Sequence, residues 1–148
     1  MVCLGNICRS PLAEGILQHK CLEKGLDWQI ESAGTAGYHV GCAPHLQSQK
    51  VALKLGIDIS KQQCRKFVKE DIELFDLIYV MDQTNYEDVK TISEEKWNAE
   101  KVKLILNELN SNKNSEVPDP WNGTDADFLK VFKLIEKACE AICIHYKK

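Results

Sequence analysis

The chain has 148 residues and a formal net charge of −3, a length that suits one domain with a full core and is short for two. With 19 basic against 22 acidic residues there is no broad positive field for nucleic acid or an anionic membrane, so any bound anion must be caught by local geometry. Seven cysteines occur without a C-x-x-C pair or a Cys/His cluster at zinc spacing, and His19, His39, His45 and His145 share no ligand spacing, so neither a metal nor another cofactor is expected. No apolar stretch approaches membrane-spanning length and the start lacks the basic-then-apolar plan of a signal peptide, which points to free thiols in a reducing cytoplasm.

Met1 and Val2 read as the stump of a strand that ends at Cys3. Ser10 can cap a helix whose first position suits Pro11, whose apolar stripe begins with Leu12, Ile16 and Leu17, and which Gly25 closes. Residues 27–32, DWQIES, alternate as a strand does and run into the glycine-rich AGTAGYHVG. Residues 44–55 predict a second helix ended by Gly56, and 57–74 are mixed and charged, predicting short turns and loop. FDLIYVMD (75–82) is the clearest strand, a nearly continuous apolar run of the kind covered on both faces. A polar helix over 84–92 and a fourth strand over 102–106 follow.

Residues 107–123 form a long polar loop ending in VPDPWNG, and loops of that length inside a compact domain are usually functional. The last helix is expected from Thr124, with Asp127 placed for a capping-box-like start and Phe128, Val131, Phe132, Ile135, Ala138, Cys139 and Ile142 at helical spacing as its core face. Strands alternating with helices predict a single α/β domain over residues 1–148, with a four-stranded parallel sheet flanked by helices on both faces. Ligands in such sheets sit beyond the carboxyl ends of the strands, where Cys3, Asp82 and the start of the late loop all fall.

The sharpest signal is CLGNICRS. A cysteine in a turn between strand and helix is no core filler. Gly5 lets the backbone turn back on itself, and Asn6 tolerates a left-handed conformation and can hydrogen-bond across the turn. Consecutive N–H groups then form an anion nest at the positive end of the following helix. The expected loop comprises Cys3, Leu4, Gly5, Asn6, Ile7, Cys8, Arg9 and Ser10. Such a nest binds phosphoryl oxygens and favours the sulfur anion, of which a free thiol holds only a few per cent at neutral pH. Arg9 adds a planar fork matched to two phosphate oxygens, and Ser10 can hydrogen-bond the sulfur. These residues fit a site that turns phosphate over and equally one that only binds it. Turnover of a monoester requires a carboxylic acid for the leaving oxygen. Asp119, stiffened by Pro120 and followed by Trp121, is the candidate, although Asp-Pro is also a common turn.

Together VCLGNICRSP, ESAGTAGYHVG, the strand ending VMDQTN and the late Asp-Pro occur in an order and spacing that resemble the low-molecular-weight protein tyrosine phosphatases over essentially the whole chain. The resemblance implies Cys3 as nucleophile, Arg9 as phosphate clamp, Ser10 as thiolate partner, Asn6 as organiser of the loop, and Asp119 as general acid and then base. It further suggests that Tyr38 and Trp121 flank the mouth, that Ser32 and Asp82 brace the loop, and that Cys8 could form a reversible disulfide with Cys3. Implied substrates are phosphotyrosine proteins or small aryl phosphates, with inorganic phosphate as product and inhibitor, in a monomer or weak dimer without nucleic acid or membrane partners. An arsenate reductase on the same scaffold is the enzymatic rival, disfavoured by Asp119-Pro120 and by the lack of a close cysteine pair after Cys64. A phosphate-binding module without turnover is the rival of another class.

The sequence departs from the family pattern at four places. A family histidine aligns with Gln62, so bracing there must differ. Pro44-His45-Leu46-Gln47 replaces the usual P-D-P-R, and Trp121-Asn122 replaces an aromatic pair, so control by phosphorylation of that pair does not carry over. Only Met1 and Val2 precede Cys3 where several apolar residues are usual, leaving a central strand short of ladder bonds on both sides. Adding about four or five apolar residues before Met1 is expected to raise the melting temperature, since strands usually run to about that length; an unchanged melting temperature would count against it.

Overall fold

The structure, a computed structural model, describes residues 1–147. Its elements are β1 (Val2–Cys3), α1 (Arg9–Lys24), β2 (Ala33–Gly34), α2 (Leu46–Lys54), α3 (Asp71–Leu74), β3 (Ile78–Val80), α4 (Gln83–Ser93), β4 (Val102–Leu104) and α5 (Asp125–Tyr146), with 3₁₀ turns at Glu94–Lys96 and Ile105–Glu108. The strands form one sheet in the order β2-β1-β3-β4. Every pairing is parallel: Val2 lies opposite Ala33 on one side and Val80 on the other, and Ile78, Tyr79 and Val80 face Val102, Lys103 and Leu104.

Side chains of a strand alternate between faces, and the alternation sorts the core into two layers. Cys3, Tyr79 and Met81 join Leu12, Ile16, Phe128, Phe132 and Ile135 beneath α1 and α5. Val2, Ile78, Val80, Val102 and Leu104 pack on Phe67, Ile72 and Val89 on the opposite face, beside α3 and α4. The sheet is therefore covered on both faces, and the apolar run at 75–82 has the composition that this environment demands. On α5, all seven residues of the expected stripe are buried, and Thr124 and Asp127 complete a capping box.

The fourth strand, expected over 102–106, stops at Leu104 where a 3₁₀ helix begins at Ile105, and two elements differ further from the sequence expectation. The strand expected over residues 27–32 is displaced to Ala33–Gly34. Trp28 and Ile30 do pack against the core, but ladder bonds need a partner. The register with β1 begins at Val2 and Ala33, and residues upstream are tied through the Met1 ammonium, which donates to the Glu31 carbonyl at 2.9 Å. Ser10 does not cap α1. The helix begins two residues earlier, with Cys8 in the cap position and no side-chain cap bond, because the Ser10 hydroxyl is engaged by Cys3 and Asn6.

Phe132 is fully buried between α5 and the sheet. Phe132→Ala is expected to cost about 3–5 kcal/mol through lost transfer energy and the cavity left behind. Urea unfolding checks it: the midpoint should fall with little change in slope, and a loss under about 1 kcal/mol would contradict the packing described.

Candidate active site

Residues between β1 and α1 form a loop at the carboxyl edge of the sheet, and what surrounds it decides which way its peptide groups point. Five carbonyls are held from outside. Thr35 N–H donates to Cys3 O at 2.9 Å, Ala36 N–H to Leu4 O at 2.9 Å and His45 N–H to Ile7 O at 2.8 Å. The Cys64 thiol donates to Gly5 O at 2.9 Å and the Ser48 hydroxyl to Cys8 O at 3.0 Å. None of the N–H groups of Gly5, Asn6, Ile7 or Cys8 donates to any of the described residues. With carbonyls bound outward and amides unpartnered beside the N-terminus of α1, the loop is an anion cradle.

Asn6 makes the reversal possible. It adopts φ 55°, a left-handed conformation that asparagine tolerates. Its side-chain oxygen accepts from Arg65 N–H at 3.0 Å, and its amide donates to Ser10 Oγ at 2.8 Å and Ser32 Oγ at 2.9 Å. Ser10 Oγ lies 3.1 Å from Cys3 Sγ. Since Ser10 already accepts from Asn6, its own proton is left for the sulfur. Ser32 in turn donates to Glu14 Oε2 at 3.2 Å, a carboxyl whose pKa burial pushes above the usual range.

Arg9 is 2% exposed. Its Nη1 donates to Asp82 Oδ2 at 2.7 Å and to Val117 O at 3.0 Å. Asp82 is also the N-cap of α4, accepting from Asn85 N–H through Oδ1 at 2.8 Å, so its two oxygens fix the guanidinium and the helix together. Arg9 Nη2 stands 3.7 Å from Asp119 Oδ2. Asp119 has its other oxygen on Trp121 N–H at 3.1 Å and a side chain 43% exposed. A cavity of about 590 Å³ is lined by Cys3, Arg9, Asp119, Tyr38, His39 and Trp121, among others. Tyr38 is 79% exposed and Trp121 45% exposed, as befits rim residues.

The structure thus brings Cys3, Arg9, Asp119, Tyr38 and Trp121 to one cleft and places Ser32 and Asp82 behind it. Cys8 is a buried free thiol, with its pKa pushed up to about 12 by burial first and by the Asp119 and Cys3 charges next. Gln62, aligned with the family histidine, sends its amide to Pro11 O at 3.0 Å and so braces the start of α1 and not the phosphate loop; its Oε1 is buried without a partner among the described residues. His45 replaces the usual aspartate as N-cap of α2, accepting from Gln47 N–H at 3.1 Å. Sequence reasoning passed over His39, which lines the cleft, and Cys64, which holds the loop. Neither has a local signature, because each reaches the loop from a separate segment.

Gly34 was also missed, although a glycine inside a strand signals close backbone approach. A Cβ there would lie 2.9 Å from Leu4 O and 3.0 Å from Asn6 N.

A parallel α/β sheet that carries an amide cradle around a cysteine and an arginine at its carboxyl edge defines a class of phosphate-handling proteins. The sequence profile of the family described as low molecular weight phosphotyrosine protein phosphatase matches residues 1–148. The low molecular weight protein-tyrosine-phosphatase YfkJ of Bacillus subtilis (strain 168) is 34% identical, the match covering 99% of this chain and 94% of that one. The low molecular weight phosphotyrosine protein phosphatase of Homo sapiens is 33% identical over 95% and 89% of the two chains. Among solved structures, the protein tyrosine phosphatase of Entamoeba histolytica superposes with a TM-score of 0.89 at 34% identity, covering 97% and 92%. The chain belongs to the low molecular weight phosphotyrosine protein phosphatase family, whose members are cysteine-based hydrolases.

Gly34→Ala is expected to push β2 off the loop, lowering turnover of an aryl phosphate at least about tenfold while costing about 1–3 kcal/mol of stability, the usual cost of overpacking. Kinetics and thermal melts on the same sample check this; unimpaired turnover would mean that the contact does not shape the cradle.

Proposed function

We propose that the protein hydrolyses phosphotyrosine in proteins or small aryl phosphate monoesters through a phosphocysteine, with residues 1–148 acting as one catalytic domain. The observation that carries this reading is the outward tethering of the loop carbonyls around Cys3, which leaves the Gly5 to Cys8 amides free for the three non-bridging oxygens of a phosphoryl group.

Cys3 attacks phosphorus in line while Asp119 protonates the leaving phenol, and the S–P bond forms as the P–O bond breaks. Ser10 donates to Cys3 sulfur and later eases its departure. Arg9, oriented by Asp82 and Val117, spans two equatorial oxygens as charge builds. Asp119, now a carboxylate, takes a proton from water, which attacks the phosphocysteine and releases inorganic phosphate and the Cys3 thiolate. Released phosphate fits the same loop, so product inhibition is part of the reading. Tyr38 and Trp121 supply aromatic walls for a planar leaving group. Cys8 lies in the same loop as the disulfide partner this reading assigns to Cys3 under oxidation. Seven free thiols support a reducing, cytoplasmic setting, and the chain is read as a monomer or weak dimer. No helix of the described residues is long and apolar enough to cross a membrane.

The test is hydrolysis of p-nitrophenyl phosphate and phenyl phosphate in reductant and EDTA. The parent should turn over both without added metal. Cys3→Ser should lose roughly 10³-fold or more in kcat, and Arg9→Lys about 10²-fold, because an ammonium cannot reproduce the fork. Asp119→Asn should lose about 10²–10³-fold on phenyl phosphate and less on p-nitrophenyl phosphate, whose better leaving group needs less protonation. A folded, reduced parent that binds phosphate and turns over neither ester would overturn the reading in favour of a binding module.

A further inference from the structure

Cys64 is buried, and its thiol is the donor that holds Gly5 O. Burial raises its pKa to about 11, which keeps the proton that this bond requires. Beside it is the exposed Cys42. Gly41 N–H donates to Cys64 O at 2.8 Å, and Cys64 N–H donates to Cys42 O at 2.8 Å. Gly41 has φ 86°. Two residues therefore face one, with glycine in the left-handed position, which is the pattern of a glycine β-bulge. Cys42 N–H itself donates to His39 O at 2.9 Å, and the one bond from Cys64 N–H to Cys42 O, with standard backbone lengths, keeps the two Cα atoms within about 7 Å, the limit inside which a disulfide can bridge two cysteines. The fold has placed an exposed cysteine beside the cysteine whose thiol supports the phosphate loop.

We propose that Cys42 and Cys64 form a reversible disulfide under hydroperoxide, and that it weakens phosphate binding by withdrawing the Cys64 hydrogen bond from Gly5. The inference rests on the phosphate-loop reading above and adds a means of regulating that loop through thiols outside it. In the first step the exposed Cys42 thiolate attacks a peroxide oxygen. An S–O bond forms, the O–O bond breaks, and with hydrogen peroxide the departing hydroxide takes a proton to become water. In the second step Cys64, giving up its proton, attacks the Cys42 sulfenic sulfur. The S–S bond forms, the S–O bond breaks, and the second water leaves. Two thiols have lost two electrons and the peroxide has gained them.

The consequence for the loop is local. A disulfide sulfur carries no hydrogen, so Gly5 O loses its partner among the five outer ties. The peptide it belongs to presents the Asn6 N–H to the cradle, and that N–H is no longer held inward from behind. A thiol reductant restores the donor.

The experiment uses the full chain carrying Cys3→Ser, which removes the nucleophile as a competing target of peroxide, and inorganic phosphate as the probe. Phosphate binding of the reduced protein is measured first. After hydrogen peroxide, a peptide map should show residues 42 and 64 linked with a mass loss of about 2 Da. Phosphate affinity should fall roughly three- to tenfold, the range of one modest hydrogen bond, and recover with dithiothreitol. The same protein carrying Cys42→Ser should bind phosphate normally, form no link and keep its affinity after peroxide. Oxidation of Cys42 to sulfinic acid without a link would overturn the proposal, as would a linked protein that binds phosphate as tightly as the reduced one. Because the link is read by mass and the reduced protein's phosphate binding is measured beforehand, failure of the disulfide is distinguishable from failure of the loop reading.

Discussion

A loop that holds an anion with its own amides must leave those N–H groups unpaired by protein, and every peptide whose N–H turns inward sends its carbonyl outward. Buried carbonyls without partners are costly. The cradle therefore exists only if the surrounding fold supplies donors to its back, and here they come from three directions. Thr35 and Ala36 follow β2, His45 and Ser48 belong to the start of α2, and Cys64 lies on the way to α3. Most of the chain between β2 and β3 is thus tied to the shape of a loop of eight residues. The close approach at Gly34 has the same origin: β2 must come near enough for the residues after it to reach the loop.

A second chain of ties runs through Arg9. Its guanidinium is shared between Asp82, at the end of β3, and the carbonyl of Val117 in the late loop. Val117 is buried and its N–H donates to Met81 O at 2.8 Å, so the late loop is pinned two residues before Asp119. An exposed aspartate on a long polar loop would ordinarily be poorly placed for proton transfer. The pin explains how Asp119 keeps its place beside the arginine while its side chain stays open to solvent.

What was legible in the sequence follows from how local each signal is. The helix of residues 125–146 was readable because its cap, box and stripe lie within one segment. The strand at 78–80 was readable because burial on both faces leaves an apolar run. Cys3, Asn6, Arg9 and Ser10 sit in one turn where each residue type has a separate physical reason. Residues 27–32 misled because alternation records burial on one side, while a ladder also needs a partner in register. Ser10 misled because a hydroxyl before a helix can serve the backbone or the neighbouring thiol, and only the position of Asn6 decides. Cys64 and His39 were out of reach, since their roles depend on contacts with residues more than 30 positions away.

The two kinds of tie differ in what they demand of the sequence. Thr35, Ala36 and His45 hold the loop with backbone N–H groups, which any residue but proline would supply. His45 can therefore stand where the family usually has aspartate without loosening Ile7, and its ring, whose Nδ1 caps α2, makes further contacts through its faces. It stacks on Phe128 at 5.2 Å and meets Trp121 edge-on at 5.4 Å, with His39 tilted against Trp121 at 5.6 Å. The mouth of the cleft can thus be rebuilt in aromatic and imidazole rings while the cradle beneath it stays the same. Ser48 and Cys64, by contrast, hold the loop with side chains. There the geometry depends on the residue itself and, for a thiol, on its redox state.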